Sequence, residues 1–434
     1  AFYYFPGPGW LIVSEMPDSE GELKEEKIDE KGSNASNEEE NVPKLVKEID
    51  EDLKQCGNEG DRDDSEQQKS SDEKPKEVRR KHRAKRSILI PGSIITTTTN
   101  KYTILSLIGA GGFGEVYRVK RMNKIPGQTN TFALKTETID EDRKYLNRLK
   151  IEMTVLRLCS KLPPYRREHF IMLADKGRTE DFKFIVMELV GSSLDIIQRE
   201  MPHHSFSYGT STKVGLQTID AISDLHEIGY IHRDVKPQNF SVGLKDKAST
   251  IYLLDFGIAR KYTIKNTKAV RLPRETVHFM GTVRYASRHC HHAQEQCRRD
   301  DLESWIYMLL EFLDRKSITW AKSIDKSHVC NEKEKLFSGD YPLAVAALPQ
   351  EVHKIISYIN SLKYSSEPDY DFIKTMLRES ARKRNADLKS KFDWQPDSSP
   401  KPTKSPKPKT TKKHKRSKGL FKTAKTFRLR PVLV

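Results

Sequence analysis

The sequence predicts an α+β fold of two lobes, a small β-rich N-lobe followed by a larger helical C-lobe, flanked by disordered tails. Three observations support this prediction. Runs of β-forming residues dominate the chain between about residues 100 and 189, and amphipathic helical patterns dominate from about residue 212 onward. Residues 14–99 and residues 397–434 are rich in charged residues and poor in aromatic ones. Strands grouped first and helices grouped afterwards favour two lobes over an alternating α/β sheet.

The two ends of the chain are predicted to be disordered. Residues 1–99 form the predicted N-terminal tail. Its residues after Trp10 are dominated by Glu, Lys, Ser, Asn and Asp, and we expect order to begin near Tyr102. Residues 397–434 alternate Ser, Pro and Lys, which predicts an extended basic linker. The sequence therefore predicts one domain at residues 100–396 between two tails.

Strands and helices of the predicted domain follow from residue periodicity. Strands are predicted at Tyr102–Leu105, Val116–Val119, Thr131–Lys135 and Phe184–Leu189. Helices are predicted, from apolar residues at helical spacing, at Tyr145–Lys161, Thr212–Ile228, Asp301–Leu313, Val352–Leu362 and Tyr370–Arg382. The chain has no internal repeat and no apolar run of about 18 residues, so we do not expect a membrane-spanning helix.

Charge is distributed unevenly along the 434 residues. The net charge is +16, yet residues 15–73 are largely acidic, whereas residues 74–86 and 401–430 are basic. Basic tails favour acidic partners, and the alternative is a solvated tail without a specific partner. Nucleic acid is not an expected partner, although the C-terminal tail is basic.

Cysteine usage indicates a reducing compartment. The five cysteines are scattered and form no Cys-x-x-Cys pair, so we expect the cytoplasm, with the nucleus as a further location. Cys290 and Cys297 lie near His289, His291 and His292, but the spacing of the two cysteines is too wide to favour a metal site. The apolar start Ala1–Pro6 lacks a basic region, so we do not expect a signal peptide.

Three short segments stand in a fixed order along the predicted domain. They are Ile108–Val116, which contains a G-x-G-x-x-G pattern, Tyr230–Asn239 and Leu253–Gly257. The glycine pattern alone also fits dinucleotide-binding folds, where it opens a helix. Here strand residues follow it, so we predict a hairpin that covers phosphates, with a purely structural hairpin as the alternative.

These segments resemble the glycine-rich, catalytic and metal-binding loops of protein kinases. The resemblance implies a bilobal protein kinase fold, ATP and Mg²⁺ as cofactors, and transfer of a phosphoryl group to Ser or Thr of protein substrates. It implies that Asp234 accepts the proton of the substrate hydroxyl and that Lys236 reaches the transferred group. Asn239 and Asp255 are implied to be the magnesium ligands.

The resemblance also implies a nucleotide site. Lys135 would pair with phosphates and with a helix carboxylate, for which Glu152 is preferred over Glu137 and Glu141. A solvated helix face is the alternative for Glu152, and a plain core position is the alternative for Met187 beside the adenine. The residues implied to contact ATP are Ile108, Gly109, Gly111, Gly114, Val116, Ala133, Lys135, Met187, Glu188 and Val190.

Further segments resemble the casein kinase one superfamily. Gly281–Ser287 stands where most kinases carry Ala-Pro-Glu, and Arg299–Ser304 follows it. Three more segments are similar to tau-tubulin kinases: Trp320–Lys326, Glu367–Tyr370 and Phe392–Trp394. The resemblance covers about residues 102–395. Met280 and the run Arg288–His292 depart from the sequence pattern of this superfamily. Both lie next to the substrate-facing loop, so they bear on the peptide preference.

Substrate preference and partners complete the expectations. Cations follow the third segment, up to and including the substrate-facing loop (Gly281–Ser287), at Lys265, Lys268, Arg271, Arg274 and Arg284. Clustered guanidinium groups favour acidic or phosphate-primed substrate sites, and the alternative is that they pair with Glu275 and Glu295. We expect a monomer that acts on acidic or cytoskeletal proteins. The alternative function is a catalytically weak kinase-fold scaffold that binds such partners through its basic tails.

Overall fold

A computed structural model of the chain describes residues 88–111, 114–123, 129–139, 147–265 and 267–395. These residues form the two lobes that the sequence predicts, a curled β-sheet lobe followed by a helical lobe. The predicted N-terminal tail covered residues 1–99, but residues 88–99 are described and contain a short strand, so that boundary was placed too late. Residues 1–87 and the predicted tail at 397–434 lie outside the described residues.

The first lobe is built on an antiparallel sheet with the strand order β1-β2-β3-β4-β6-β5. Its strands are β1 (Ile94–Thr96), β2 (Lys101–Ala110), β3 (Glu115–Arg121), β4 (Thr131–Thr138), β5 (Leu173–Arg178) and β6 (Phe182–Glu188). The four strands predicted from the sequence are confirmed as β2, β3, β4 and β6.

Two strands of this sheet escaped the sequence prediction. β1 has only three residues and lies before the predicted boundary at residue 100. β5 reads Leu-Ala-Asp-Lys-Gly-Arg, a mostly polar sequence that occupies the edge of the sheet. A charged edge strand discourages pairing with another chain. Because its residues are polar, β5 also lacks the run of β-forming residues that predicts a strand.

Alternating side chains divide the sheet into two buried faces. On one face Tyr102, Tyr117 and Leu134 pack in a cluster confined to this lobe. On the other face Val116 and Ala133 join the larger core, together with helix α1 (Arg148–Ser160). The predicted start of this helix, Tyr145, lies outside the described residues.

The second lobe contains helices α2 to α9. They span α2 (Leu194–Glu200), α3 (Tyr208–Glu227), α4 (Arg288–His291), α5 (Arg298–Leu313), α6 (Lys326–Ser338), α7 (Leu343–Ala346), α8 (Gln350–Ser361) and α9 (Tyr370–Lys383). Short 3₁₀ turns occur at Pro202–His204, Pro237–Asn239, Lys245–Lys247 and Arg315–Ser317. The predicted helices are confirmed as α1, α3, α5, α8 and α9, with ends that differ by a few residues.

Helix α5 forms the centre of the second lobe, because its residues are buried nearly throughout. Trp305 is fully buried, and its indole N–H donates to Thr218 Oγ1 of α3 at 2.9 Å. Two small antiparallel pairs lie above this core: β7 (Tyr230–Ile231) with β10 (Arg260–Lys261), and β8 (Phe240–Val242) with β9 (Ile251–Leu253). They fix the segments that carry Asp234 and Asp255.

The helices of the described residues are either too short or too polar to cross a membrane.

Candidate active site

The glycine pattern forms a hairpin between β2 and β3, as the sequence predicts. These strands pair antiparallel, and the backbone N–H of Gly111 donates to the carbonyl of Gly114 at 2.9 Å. A Cβ atom at Gly114 would lie 1.8 Å from Thr136 O, so only glycine fits against β4. Gly109 lies within β2, opposite Val116. The antiparallel hairpin excludes the glycine turn of a dinucleotide-binding fold.

An apolar slot lies between the two lobes. Its lining includes the predicted residues Ile108, Val116, Ala133, Met187, Glu188 and Val190, and three residues that the sequence did not indicate, Ile171, Leu189 and Leu254. The backbone N–H of Glu188 already donates to Met172 O at 2.9 Å. The carbonyl of Glu188 and the backbone of Val190 are therefore the groups suited to the polar edge of a flat ring.

Lys135 connects the two lobes through two carboxylates. Its Nζ lies 2.7 Å from Glu152 Oε2 on α1 and 2.9 Å from Asp255 Oδ1. The carboxylate of Glu137 is used elsewhere, because it accepts the backbone N–H groups of Arg148 and Leu149 at the start of α1. Glu141 lies outside the described residues. The structure thus brings Glu152, rather than Glu137, to Lys135.

Electrostatics make the Lys135 cluster strongly ionic. Burial opposes ionisation of Asp255, but the charge and hydrogen bond of Lys135 outweigh it and lower the pKa of Asp255 to about 2. Burial likewise works against the charge of Lys135, yet Asp255 and Glu152 raise its pKa above the ordinary value. Burial raises the pKa of Glu152, against the attraction of Lys135. The negative charge of the trio is therefore held most firmly at Asp255.

Asp234 lies on the opposite wall, where both of its carboxylate oxygens are engaged. Thr282 Oγ1 donates to Oδ1 at 2.7 Å, and Lys236 Nζ lies 2.6 Å from Oδ2 and 3.0 Å from Thr282 Oγ1. Asn239 Nδ2 donates to the backbone carbonyl of Asp234 at 2.8 Å. Because Nδ2 of Asn239 is used in this way, its carbonyl oxygen is the atom suited to a metal ion.

Asp301 of α5 holds the backbone around Asp234 by hydrogen bonds. The backbone N–H groups of His232 and Arg233 donate to the two oxygens of Asp301 at 2.6 and 2.9 Å. His226 Nε2 contributes a third contact at 2.9 Å. Burial works against the Asp301 charge, but the hydrogen bonds from His226 and from the backbone N–H of His232 lower the pKa of Asp301 below its usual value. Asp301 therefore stays ionised while fully buried.

His232 and Phe256 have packing roles, as the sequence predicts. Their rings lie 5.5 Å apart, and both side chains are buried. His232 Nδ1 accepts the backbone N–H of Asp234 at 3.2 Å, so its Nε2 carries the hydrogen that reaches Leu254 O at 3.0 Å. This neutral tautomer links the Asp234 loop to the segment that precedes Asp255.

Unusual backbone conformations concentrate at this site. Arg233 and Asp255 have φ values of 68° and 61°, a region that non-glycine residues seldom adopt. Gly281 has φ 118°, and a Cβ atom there would lie 2.7 Å from Arg233 O. The substrate-facing loop and the Asp234 loop approach each other closely only because position 281 has no side chain.

The cations predicted to select substrates mostly have acidic partners. Arg274 Nε lies 2.5 Å from Glu295, Arg284 Nη2 lies 2.5 Å from Glu311, and Lys268 pairs with Glu227 at 3.1 Å. The alternative named for Arg274, pairing with Glu295, is therefore the arrangement that the structure has.

The fold and site together define a phosphotransferase of the protein kinase type: a glycine hairpin, a paired lysine and two acidic loops around one cleft. A model of the protein kinase domain matches residues 102–390, so the chain belongs to the protein kinase family. The match spans both lobes and every residue assigned above to the cleft.

Curated relatives carry the names of serine/threonine-protein kinases. One from Dictyostelium discoideum is 34% identical over 305 residues, which cover 70% of this chain and 58% of the relative. One from Caenorhabditis elegans is 38% identical over 267 residues, 61% of this chain and 78% of the relative. The nematode kinase spe-6 is 31% identical over 69% of this chain and 76% of its own length. Thus the chain is of the serine/threonine type, and its domain implies ATP, a divalent metal ion and protein substrates.

Proposed function

We propose that the chain transfers the γ-phosphoryl group of ATP, bound with Mg²⁺, to Ser or Thr hydroxyls of proteins. The observation that supports this most directly is the cleft itself. Asp234 and Lys236 face the substrate-facing loop, and Lys135 is paired with both Glu152 and Asp255. This is an assembled arrangement, since the lysine already contacts both carboxylates that a kinase cleft requires.

The residues of the chain suggest how the hydroxyl would be handled. Asp234 is oriented by Thr282 and Lys236, which hold its two oxygens at 2.7 and 2.6 Å. A substrate hydroxyl that reaches Asp234 can donate its hydrogen bond and then its proton to the carboxylate. Lys236 lies beside this point, where its ammonium can stabilise the negative charge of the group in transfer.

The donor set of the cleft fits Mg²⁺. Asp255 offers a carboxylate oxygen and Asn239 an amide oxygen, and hard oxygen ligands are those that Mg²⁺ prefers. When bound, the ion neutralises phosphate charge. The low pKa of Asp255 keeps its carboxylate ionised and ready to bind across the physiological range.

Phosphorylation of a peptide library by the full chain tests the proposal. Libraries with a fixed Ser, Thr or Tyr acceptor would be incubated with γ-labelled ATP, with Mg²⁺, Mn²⁺ or a chelator. We expect label in the Ser and Thr libraries, dependence on the metal and strongest transfer with Mg²⁺. Label confined to Tyr, or no label with any metal, would contradict the proposal.

We further propose that the chain belongs to the casein kinase one superfamily and is similar to tau-tubulin kinases. The closing segment Phe392–Trp394 supports this, because it is integrated into the domain. Phe392 stacks on Trp394 with ring centroids 4.4 Å apart, and Asp393 accepts the backbone N–H of Ser207 and the hydroxyl of Thr210 at 2.6 and 2.8 Å. The motif therefore caps the start of α3.

A preference for acidic or phosphate-primed sites follows from an excess of positive charge beside the loop. Three guanidinium groups, those of Arg233, Arg260 and Arg274, surround the single carboxylate of Glu295. Burial, and then the charges of Arg260 and Arg274, lower the pKa of Arg233 to about 10. The repulsion among these positive charges decreases when a phosphate or carboxylate binds beside them.

A second group of cations extends this surface. Burial, followed by the charges of Arg271 and Lys265, lowers the pKa of Lys261. Arg271 Nε donates to Thr263 O at 3.0 Å, which holds the guanidinium beside the segment that follows β10. We propose that acidic side chains flanking the phosphorylated residue bind here.

Substitution of Lys265 and Arg271 by Ala tests this preference without touching Arg274, which is structural. We expect KM for acidic or primed peptides to rise by about tenfold, and KM for neutral peptides to change little. Lys389→Ala, at an exposed position near the end of the domain, is the control. Equal effects on both peptide classes would remove the basis for the preference.

The remaining proposals concern the whole chain. We propose a cytoplasmic, and also nuclear, monomer whose basic tail binds acidic or cytoskeletal proteins. Sedimentation with cytoskeletal filaments of the full chain and of residues 100–396 would test the role of the tails. Equal binding by both proteins would assign that binding to the kinase domain instead.

A further inference from the structure

A cluster of potential metal ligands lies outside the cleft, between the end of α4 and helix α6. His292 follows the last residue of α4, and Cys330 and Glu334 stand one turn apart on α6. Their ligand atoms all lie within 4.8 Å of one another. We propose that His292, Cys330 and Glu334 bind a zinc-like divalent cation at a site separate from the nucleotide cleft.

The distances between the ligand atoms fit a tetrahedral ion. Zinc binds histidine nitrogen and carboxylate oxygen at about 2.0–2.2 Å and thiolate sulfur at about 2.3 Å, so neighbouring ligands lie about 3.4–3.6 Å apart. His292 Nε2 lies 3.3 Å from Glu334 Oε1 and 3.6 Å from Cys330 Sγ. Two edges of the tetrahedron are thus already formed, and the remaining edge needs only a small movement of the Glu334 side chain.

The local sequence explains why two ligands share one face. Residues four positions apart on a helix project to the same side, so Cys330 and Glu334 are neighbours once α6 forms. Asp325 caps this helix by accepting the backbone N–H of Ser327 at 2.9 Å, and Gly339 ends it with φ 94°. Both ligands lie within the helix rather than at its ends, and their relative positions are therefore well fixed.

A neighbouring arginine orients the carboxylate. Arg288 Nη1 donates to Glu334 Oε2 at 3.1 Å, which leaves Oε1 directed towards His292. Arg288 is itself held by Glu303 and Asn360. Hydrogen bonds to the second oxygen of a ligating carboxylate are a common support for metal sites.

The ligand chemistry selects the class of metal. A thiolate, an imidazole and a carboxylate suit Zn²⁺ and similar transition ions, whereas Mg²⁺ and Ca²⁺ prefer oxygen alone. The thiolate and the carboxylate together balance the charge of a divalent ion. The side chains of His292 and Glu334 are about half exposed, at 54% and 47%, so a fourth ligand can come from solvent and the ion can exchange.

A bound ion would connect α4 to α6 beside the substrate-facing loop. Lys333, which precedes Glu334, donates through Nζ to the carbonyls of Val283 and Ala286 at 2.9 and 2.6 Å. His291, which precedes His292, lies 3.2 Å from the same Nζ. The ion would therefore brace the two elements that hold this loop.

Cobalt titration of the reduced full chain tests the site. Mg²⁺ and ADP would be present in excess, so that the cleft is filled with oxygen-binding metal. We expect one Co²⁺ per chain with a thiolate-to-cobalt absorption band, displaced by Zn²⁺. We also expect Zn²⁺ to raise the midpoint of thermal unfolding.

Variants separate this site from other thiols. Cys330→Ser and, independently, the exposed His292→Asn should abolish the band and weaken metal binding by at least about tenfold. His328→Asn, on the same helix but outside the cluster, should leave both unchanged. The absence of a thiolate band in the unsubstituted protein, or a band that survives either ligand substitution, would overturn the proposal.

Discussion

Two carboxylates, Asp255 in the cleft and Asp301 in the helical lobe, illustrate two uses of negative charge. Asp255 faces the cleft with 37% of its side chain exposed and is paired with the ammonium of Lys135. Asp301 is 2% exposed and accepts two backbone N–H groups and an imidazole. An ion pair at an open cleft can exchange its partner for a phosphate or a metal ion. A buried carboxylate with all of its donors in place cannot exchange, so it fixes geometry instead.

This comparison separates residues that carry out the chemistry from residues that position them. The cleft network consists of Lys135, Glu152, Asp255, Asp234 and Lys236. The support residues are Asp301, which holds the backbone of the Asp234 loop, and Lys333, which holds the loop that contains Thr282. Substitutions in the first group should affect turnover, whereas substitutions in the second should affect stability.

Asp234→Asn should give the largest effect, because it removes the proposed base and keeps the shape of the side chain. We expect kcat to fall by about 10³-fold or more, with nucleotide affinity and unfolding little changed. Asp246→Asn, at an exposed position on a short turn, is the matched control. Turnover within about threefold of the unsubstituted protein would refute the role of Asp234.

Lys135→Arg should also reduce turnover while keeping a positive charge. A planar guanidinium cannot occupy a point 2.7 Å from Glu152 and 2.9 Å from Asp255 as a compact ammonium does. We expect kcat/KM for peptide phosphorylation to fall by at least about 100-fold. Lys176→Arg on the exposed edge strand serves as the control. Comparable activity of both variants would show that charge alone is sufficient.

Asp301→Asn, unlike the cleft variants, should affect stability more than turnover. The amide that replaces the carboxylate cannot accept from all three donors, and buried N–H groups lose charged acceptors. We expect the free energy of unfolding in urea to fall by about 2–4 kcal/mol. Asp234→Asn should change it by less than about 1 kcal/mol. If Asp301→Asn unfolds like the unsubstituted protein, the support role of Asp301 is wrong.

Lys333 provides a pH-dependent version of the same test. Burial lowers the pKa of Lys333 to about 7, from an unfolded value of 10.5. Between these two values the unfolded chain binds more protons than the folded one, so this residue makes stability rise with pH above about 7. At pH values below about 7, Lys333 is protonated in both the folded and the unfolded chain, so it no longer contributes to the pH dependence of stability.

Lys333→Met should therefore flatten the rise of unfolding free energy between about pH 7 and pH 9. It should also cost about 1–3 kcal/mol, since the carbonyls of Val283 and Ala286 lose their donor. Lys335→Met, two residues later and exposed, should leave the slope as it is. Urea unfolding across this pH range measures both effects, and an unchanged slope in Lys333→Met would contradict the prediction.

Phosphatase treatment should have the smallest effect. The pair of Lys135 and Glu152 is formed, and Arg274 is engaged by Glu295, without a phosphate on Thr263, Thr267 or Thr276. We expect activity within about threefold of that of untreated protein. A loss of more than about tenfold, restored by rephosphorylation, would show that the cleft network depends on modification.

Local sequence grouped the residues that the structure brings together in the cleft, because the spacing within each loop is short and the residue types are demanding. Asp234 and Asn239 lie five positions apart in one loop. Thr282 and Asp301 received no role, because their contacts to this loop join positions 48 and 69 apart in the chain. Sequence patterns do not record which distant residue donates to which acceptor.

Charge patterns were the least informative signal. Arg274 and Arg284 are near the substrate-facing loop, as their positions suggested, but each is committed to a glutamate. The edge strand β5 was missed for a related reason, because its polar residues suit a strand at the exposed edge of a sheet rather than one in the core. In both cases the identity of the partner, which only the fold supplies, decides the role of a polar residue.

The close contact at Gly281 predicts how heritable variation will be tolerated along this chain. Every missense change at that codon, alanine included, adds a carbon atom where Arg233 O leaves no room, and also disfavours a φ of 118°. Carriers of such alleles should therefore lose kinase output, because the added side chain displaces the Gly281 segment from the Asp234 loop. Gly92 also has a positive φ, of 92°, but nothing lies within 4 Å of an added Cβ atom, so substitutions there should carry the backbone strain without the steric clash and have milder consequences.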